Sequence, residues 1–223
     1  MTDMPPDDEA LVPEMIDAAT AVNRLGETLI SRQVDPATAA SVAETLNALS
    51  DQLDGLPVVS KLDNLGRRNR IHSFLEHGTW PDPPPDGSPM EFDPASPIGG
   101  VLNPFSLGAK YYRDGTDAVG RATVGRCFEG PPERVHGGMI CAIFDEVMGS
   151  VFRATGTASA FTGELSVRFV APAPLDVELE FRARQVRSDG RKRFLEGEAT
   201  GPDGEFATAT ATFIEMRPEH FSA

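Results

Sequence analysis

Residues 137–153 constrain the fold more than any other part of the chain. Met139, Ile140, Ala142, Ile143, Val147, Met148, Val151 and Phe152 cover almost every side of a helix drawn through them. A helix apolar nearly all round is expected to be buried, and it needs a sheet long and curved enough to wrap it.

Strand patterns on both sides of the helix supply that sheet. Tyr111 with its neighbours and residues 118–128 read as two strands separated by Asp114 and Gly115. Beyond the helix, Leu165, Val167 and Phe169 alternate with Glu164, Ser166 and Arg168, and Val177, Leu179 and Phe181 alternate with Glu178, Glu180 and Arg182. Period-two alternation marks half-buried antiparallel strands. Turn residues at 188–190 and 201–204 separate two more, 191–200 and 205–214. The predicted order is β-β-α-β-β-β-β, an α+β hotdog fold in which an antiparallel sheet wraps one central helix.

The first third of the chain differs in kind. Leu11, Ala18, Val22, Leu25 and Leu29 recur at helical spacing, as do Val42, Leu46, Leu49 and Leu53, so residues 1–55 read as an acidic helical hairpin extension. Asp35 and Pro36 supply a cap and a first-turn proline, and Gly55 with Pro57 ends the second helix. Each apolar stripe needs a partner, either the sheet or another subunit. Residues 56–97 read as a linker, basic over 61–70 and then proline-rich, with residues 98–223 as the hotdog domain.

Charge removes several function classes. The chain has 34 acidic and 20 basic residues, a formal net charge of -14, which repels phosphate backbones and anionic membrane surfaces, so no nucleic acid partner is expected. No run approaches the ~20 apolar residues of a membrane span, and the start MTDMPPDDEA is acidic where a secretory signal is basic, so a cytoplasmic location is expected. Cys127 and Cys141 are too few for a disulfide scaffold and are expected to be reduced and buried.

Chemistry concentrates at the start and middle of the apolar helix. His136, Gly137 and Gly138 stand where the helix begins, so unpaired N–H groups and the positive end of the helix dipole face whatever lies before them. Glycines there let a ligand approach the backbone, as a site for a thioester oxygen requires, although glycine pairs also serve tight turns. Asp145 and Glu146 lie mid-helix, where an unpaired carboxylate is expensive to bury. They point ~100° apart, so they cannot face one pocket, and either can simply reach an arginine.

The run EGPPERVHGGMICAIFDEVMG, followed by a strand that starts at Thr162 and continues ELSVRFVAPAPL, resembles the PaaI-like hotdog acyl-CoA thioesterases of the 4-hydroxybenzoyl-CoA thioesterase superfamily. In that family a histidine and two glycines open the central helix, an aspartate follows nine residues after the histidine, and a serine or threonine begins the next strand. His136 and Asp145 have that spacing. The resemblance covers about residues 98–217. It implies an acyl-CoA substrate, hydrolysed to a free acid and coenzyme A, with Asp145 as general base or nucleophile. It also implies that the Gly137 N–H polarises the thioester carbonyl beside Gly138, and that His136 orients the loop or contacts the thioester. Thr162 would hold the carboxylate or the water. A homodimer or dimer of dimers with sites shared between subunits is implied, with no metal or other cofactor.

Two positions depart from a simple carry-over. Relatives place an amide side chain six residues before the histidine, where this chain has Gly130. Strict alternation puts Thr162 on the face opposite Leu165, unless Gly163 hosts a bulge that re-aims it. Arg191, Lys192 and Arg193, at a predicted hairpin, read either as a coenzyme A phosphate contact or as a charged turn. Two further functions fit the same pattern: a hotdog hydratase or dehydratase acting on 2-enoyl thioesters, and a non-catalytic acyl-CoA sensor working through the extension.

Overall fold

Alternation of apolar and polar residues decides which face of each longer strand meets the central helix. The protein is described by a computed structural model over residues 13–58, 79–90 and 93–216. The strands are β1 (Pro89–Met90), β2 (Lys110–Asp114), β3 (Asp117–Thr123), β4 (Ala160–Phe169), β5 (Glu178–Asp189), β6 (Lys192–Gly201) and β7 (Gly204–Glu215). They form one antiparallel sheet in the order β1-β2-β3-β5-β6-β7-β4. β4 therefore lies at one edge, bonded only to β7 among the described strands.

Three helices complete the described residues: α1 (Pro13–Ser31), α2 (Pro36–Leu53) and the central α3 (Gly137–Ala154). The sheet wraps α3, the hotdog arrangement, and the helical region lies N-terminal to it. Ile143, Phe144, Val147, Met148 and Val151 on α3 are buried against Leu179 and Phe181 of β5, Leu195 of β6 and Phe213 of β7. Edge-on ring contacts lock this core, with Phe144 and Phe181 centroids 5.1 Å apart and those of Phe181 and Phe206 5.7 Å apart. Gly120 lets the helix approach β3 closely: a Cβ there would stand 2.3 Å from Val147 Cγ2.

Several expectations need correction. Part of the proline-rich stretch read as a loop joins the sheet as β1, and Met90 and Ser96 are buried. The strand expected over residues 118–128 ends at Thr123, and the chain continues into a 3-10 turn at Arg126–Phe128 that carries it out of the sheet. Nor is α3 buried all round. Gly138, Cys141, Ala142, Asp145 and Gly149 form one stripe that the sheet leaves only partly covered. Cys127 is exposed and Cys141 only half-buried, because hydrophobicity alone does not separate core from a surface left open.

In the extension, Asp35 caps α2 as expected, its carboxylate accepting the Ala37 and Thr38 N–H groups at 3.0 Å each. The apolar stripes are not buried within the chain: Val22, Leu29, Leu49 and Leu53 are all exposed, and α2 buries no residue. Leu11 and the basic residues of 61–70 lie outside the described residues.

Candidate active site

The start of α3 is built by its own cap. His136 is the N-cap residue, with extended φ of -62° and ψ of 130°, and its Nδ1 accepts the Gly138 N–H at 3.0 Å. That bond leaves the ring proton on Nε2, facing outward. The Met139 and Ile140 N–H groups bond the His136 carbonyl. The Gly137 N–H has no acceptor among the described residues. Of the two helix-opening glycines, Gly137 alone thus offers a free donor at the positive end of the helix dipole. The Phe169 ring lies over it, with Cζ 3.3 Å from where a Gly137 Cβ would stand.

Two turns further along α3, Asp145 sits on the partly covered stripe and its Oδ1 accepts the Thr162 hydroxyl at 2.6 Å. The bulge anticipated at Gly163 makes this contact possible. Thr162 pairs with Phe213 and Glu164 with Thr212, leaving Gly163 without a partner across the strand. The extra residue puts Thr162 on the same face as Leu165, which pairs with Ala211.

Glu146 has a different environment. Its carboxylate accepts hydrogen bonds from the Ser96 hydroxyl and the Tyr111 hydroxyl, tying β2 and the segment before it to α3. Burial pushes its carboxyl above the ordinary 4.5, opposed by the Ser96 and Tyr111 bonds and reinforced by the charges of Asp145 and Asp93. Burial, and then Glu146, pushes the Tyr111 hydroxyl far up as well. Neither helix carboxylate meets an arginine among the described residues. No spacing along the chain points to the Ser96 and Tyr111 anchors, which approach Glu146 only in the folded chain.

The remaining candidates are dispersed. Arg191 donates to the Glu215 carbonyl at 3.2 and 2.9 Å, while Arg193 bonds the Gly190 carbonyl at 2.7 Å and pairs with the Glu215 carboxylate. Both guanidiniums thus tie the β5–β6 hairpin to the end of β7, and Lys192 is exposed beside them. Burial pushes the Cys141 thiol up, which disfavours a thiolate nucleophile. Gly130 has no room for a side chain, since a Cβ there would stand 2.8 Å from His136 Cα. No metal-binding group of three or more His, Cys, Asp or Glu occurs among the described residues. Nor is any described helix long and apolar enough to cross a membrane.

Comparison with known proteins bears on this arrangement. Residues 133–207 match the family model of the thioesterase superfamily. A crystal structure of a thioesterase superfamily protein superposes with a TM-score of 0.71 at 23% identity, covering 95% of this chain and 94% of its own. That likeness extends over the helical extension as well as the hotdog domain. A phenylacetic acid degradation-related protein from Ralstonia eutropha JMP134 is 29% identical, with a TM-score of 0.45 over 48% of this chain and 85% of its own. A hypothetical thioesterase protein from Streptococcus pneumoniae TIGR4, crystallised with coenzyme A, is 22% identical, with a TM-score of 0.43 over 47% of this chain and 83% of its own. Residues 133–207 of this chain thus resemble the thioesterase superfamily, and the chain shares the hotdog fold of the superposed thioesterase superfamily protein.

Proposed function

We propose that the protein hydrolyses an acyl-CoA thioester to a free carboxylic acid and coenzyme A, in a site assembled from two subunits. One observation carries the reading: an unbroken helix holds a free Gly137 N–H at its start and the Thr162-bonded Asp145 eight residues later. Eight residues at 1.5 Å each separate the two groups by ~12 Å along the axis. One thioester carbon cannot lie ~3 Å from both, so each site takes its carbonyl donor from one chain and its carboxylate from the other.

Two features of the surface support a second copy as the other half. The α3 stripe is only partly covered by the sheet, and a Cβ at Gly149 would meet open space. Beside it, the edge strand β4 and the residue that follows it expose Phe161, Phe169 and Val170. Two antiparallel α3 helices with β4 edges adjoining would cover both surfaces under two-fold symmetry.

In this site the Gly137 N–H polarises the thioester carbonyl, and removing one such donor typically costs about 3 to 4 kcal/mol of transition-state stabilisation. As general base, Asp145 takes a proton from the attacking water as oxygen bonds the carbonyl carbon. Collapse of the tetrahedral intermediate breaks the C–S bond, and the proton leaves with the thiolate. As nucleophile, Asp145 instead forms an anhydride that water opens, with the same products. Thr162 fixes the carboxylate's orientation. Gly138, committed to His136, shapes the approach rather than donating, and Lys192, which makes no ion pair among the described residues, is the hairpin cation for a coenzyme A phosphate.

Thiol release measured across acyl-CoA chain lengths tests the reading. Turnover above the buffer rate that is lost in Asp145→Asn supports it. Absence of turnover with every acyl-CoA leaves a sensor, and conversion of a 2-enoyl-CoA to a product heavier by one water replaces hydrolysis with hydration.

A further inference from the structure

We infer that α1, held to the domain by Asn23, positions the thioester-binding turn through Glu27. The inference rests on the role proposed above for the Gly137 N–H. The helix docks on the hotdog domain with a polar, small-residue face, Ala19, Asn23, Gly26 and Glu27, while Val22 and Leu29 of its apolar stripe stay exposed. Asn23 Nδ2 donates one proton to the Pro104 carbonyl at 3.1 Å and the other to the Ser106 carbonyl at 3.0 Å. The Glu27 carboxylate accepts the Cys127 N–H with both oxygens, at 3.2 and 3.3 Å.

The domain is shaped to receive that carboxylate. A Cβ at Gly125 would stand 2.5 Å from Glu27 Oε1, so any side chain there would push the carboxylate out of its present position. Cys127 sits in the 3-10 turn, and the next residue, Phe128, accepts the His136 N–H on its carbonyl at 2.9 Å. Glu129 and Val135 form a bridge that lays the chain before His136 against the turn. The Gly137 N–H is the next peptide along. Glu27 therefore fixes one end of a short rigid path whose other end is the proposed carbonyl donor.

Rate is sensitive to such placement, because a donor must stand 2.7–3.1 Å from the developing oxyanion, and a displacement of ~1 Å can cost about 100-fold. A helix that merely covered surface would have no reason to bond the domain through Asn23 and Glu27 side chains rather than through its apolar stripe.

The test combines kinetics with amide hydrogen exchange on the full chain. Glu27→Ala is expected to lower kcat about 10-fold with KM within about 2-fold, and to speed exchange of both the Cys127 and the His136 amides. Glu27→Gln keeps an acceptor oxygen and should restore both readouts. Gly125→Ala breaks the same contact from the domain side, leaves α1 unaltered, and should reproduce the Glu27→Ala effects if that variant folds poorly. Exchange that rises at Cys127 but not at His136, or kcat unchanged in both Glu27→Ala and Gly125→Ala, overturns the inference. If the wild type hydrolyses no acyl-CoA, the proposed function fails, and the His136 amide alone then decides whether Glu27 fixes the turn.

Discussion

Thr162 reaches Asp145 across the edge of the sheet because β4 carries one residue more than β7 between them. Gly163 is that residue, and a Cβ on it would stand 3.1 Å from the Thr212 carbonyl oxygen and 3.3 Å from Ile214 Cγ1. Thr162→Val removes the hydroxyl and keeps the shape, so kcat should fall about 10-fold, in keeping with loss of one hydrogen bond to a charged group. Thr162→Ser should stay within about 3-fold of wild type. Equal losses in the two variants would show that the hydroxyl does not hold the carboxylate.

The two neighbouring carboxylates of α3 should separate cleanly by assay. Asp145→Asn should lower kcat at least ~100-fold with the melting temperature little changed, since the amide cannot take a proton. Glu146→Gln should lower the melting temperature and leave kcat within a few-fold, because Glu146 anchors Ser96 and Tyr111 instead of facing the open stripe. Similar kcat losses in both would misplace the catalytic face.

Glu146 also predicts a pH dependence of stability. Its carboxyl is pushed up in the folded chain chiefly by burial, so the folded state holds that proton more tightly than the unfolded state. The resulting stabilisation is complete below the ordinary 4.5 and is lost as pH rises through the raised folded value. Wild type should therefore lose stability relative to Glu146→Gln as denaturation is repeated from pH 4 towards pH 7. A constant difference between the two would mean that the carboxyl titrates alike in both states.

How much of this was legible in the sequence depended on what each residue's neighbours were. Alternation located β4 to β7 within a residue or two, because one face of each strand is buried and register is then fixed. β1 escaped because two residues carry no period. The partly covered stripe of α3 escaped for another reason: Ala142 and Cys141 are apolar and small, and composition does not distinguish a core position from one left open. Periodicity marked the apolar stripe of α1, not the face that meets the hotdog domain. Asn23 and Glu27 bind carbonyls and an N–H that come within reach only after the chain has folded, and no spacing along the helix announces them. Gly163 was legible as an irregularity, since glycine inside a strand pattern marks a bulge.

Cys127 offers a chemical readout of the α1 contact. Its thiol is pushed up first by burial and then by the Glu27 charge and hydrogen bond. Glu27→Gln removes the charge, lowers the thiol's pKa and raises the thiolate fraction, so alkylation by iodoacetamide at pH 8 should quicken at Cys127. Cys141, pushed up by burial without Glu27, should react at its wild-type rate. Unchanged labelling of Cys127 would mean that the carboxylate does not reach the thiol in solution.

The shared site is tested by mixing two inactive variants, Asp145→Asn and Gly137→Pro. Proline suits position 137: it deletes the N–H at the first helical residue, and the preceding His136 already has the extended conformation that proline demands, with φ of -62° and ψ of 130°. The added ring meets Phe169 Cζ 3.3 Å from the Cβ position, and Phe169 is half-exposed and free to move aside. Each variant alone lacks one component at both sites of its homodimer. A mixed dimer pairs the intact Gly137 of the first chain with the intact Asp145 of the second at one of its two sites. With equal amounts and random exchange, half the dimers are mixed and half of their sites are whole, so activity should recover to about a quarter of wild type. Exchange is verified by mass spectrometry of differently tagged subunits, and folding by circular dichroism of each variant. No recovery in a verified mixed dimer would place both groups of the site in one chain, which the ~12 Å between them along α3 does not allow for a single thioester carbon, and the roles given to Gly137 and Asp145 would then fall together.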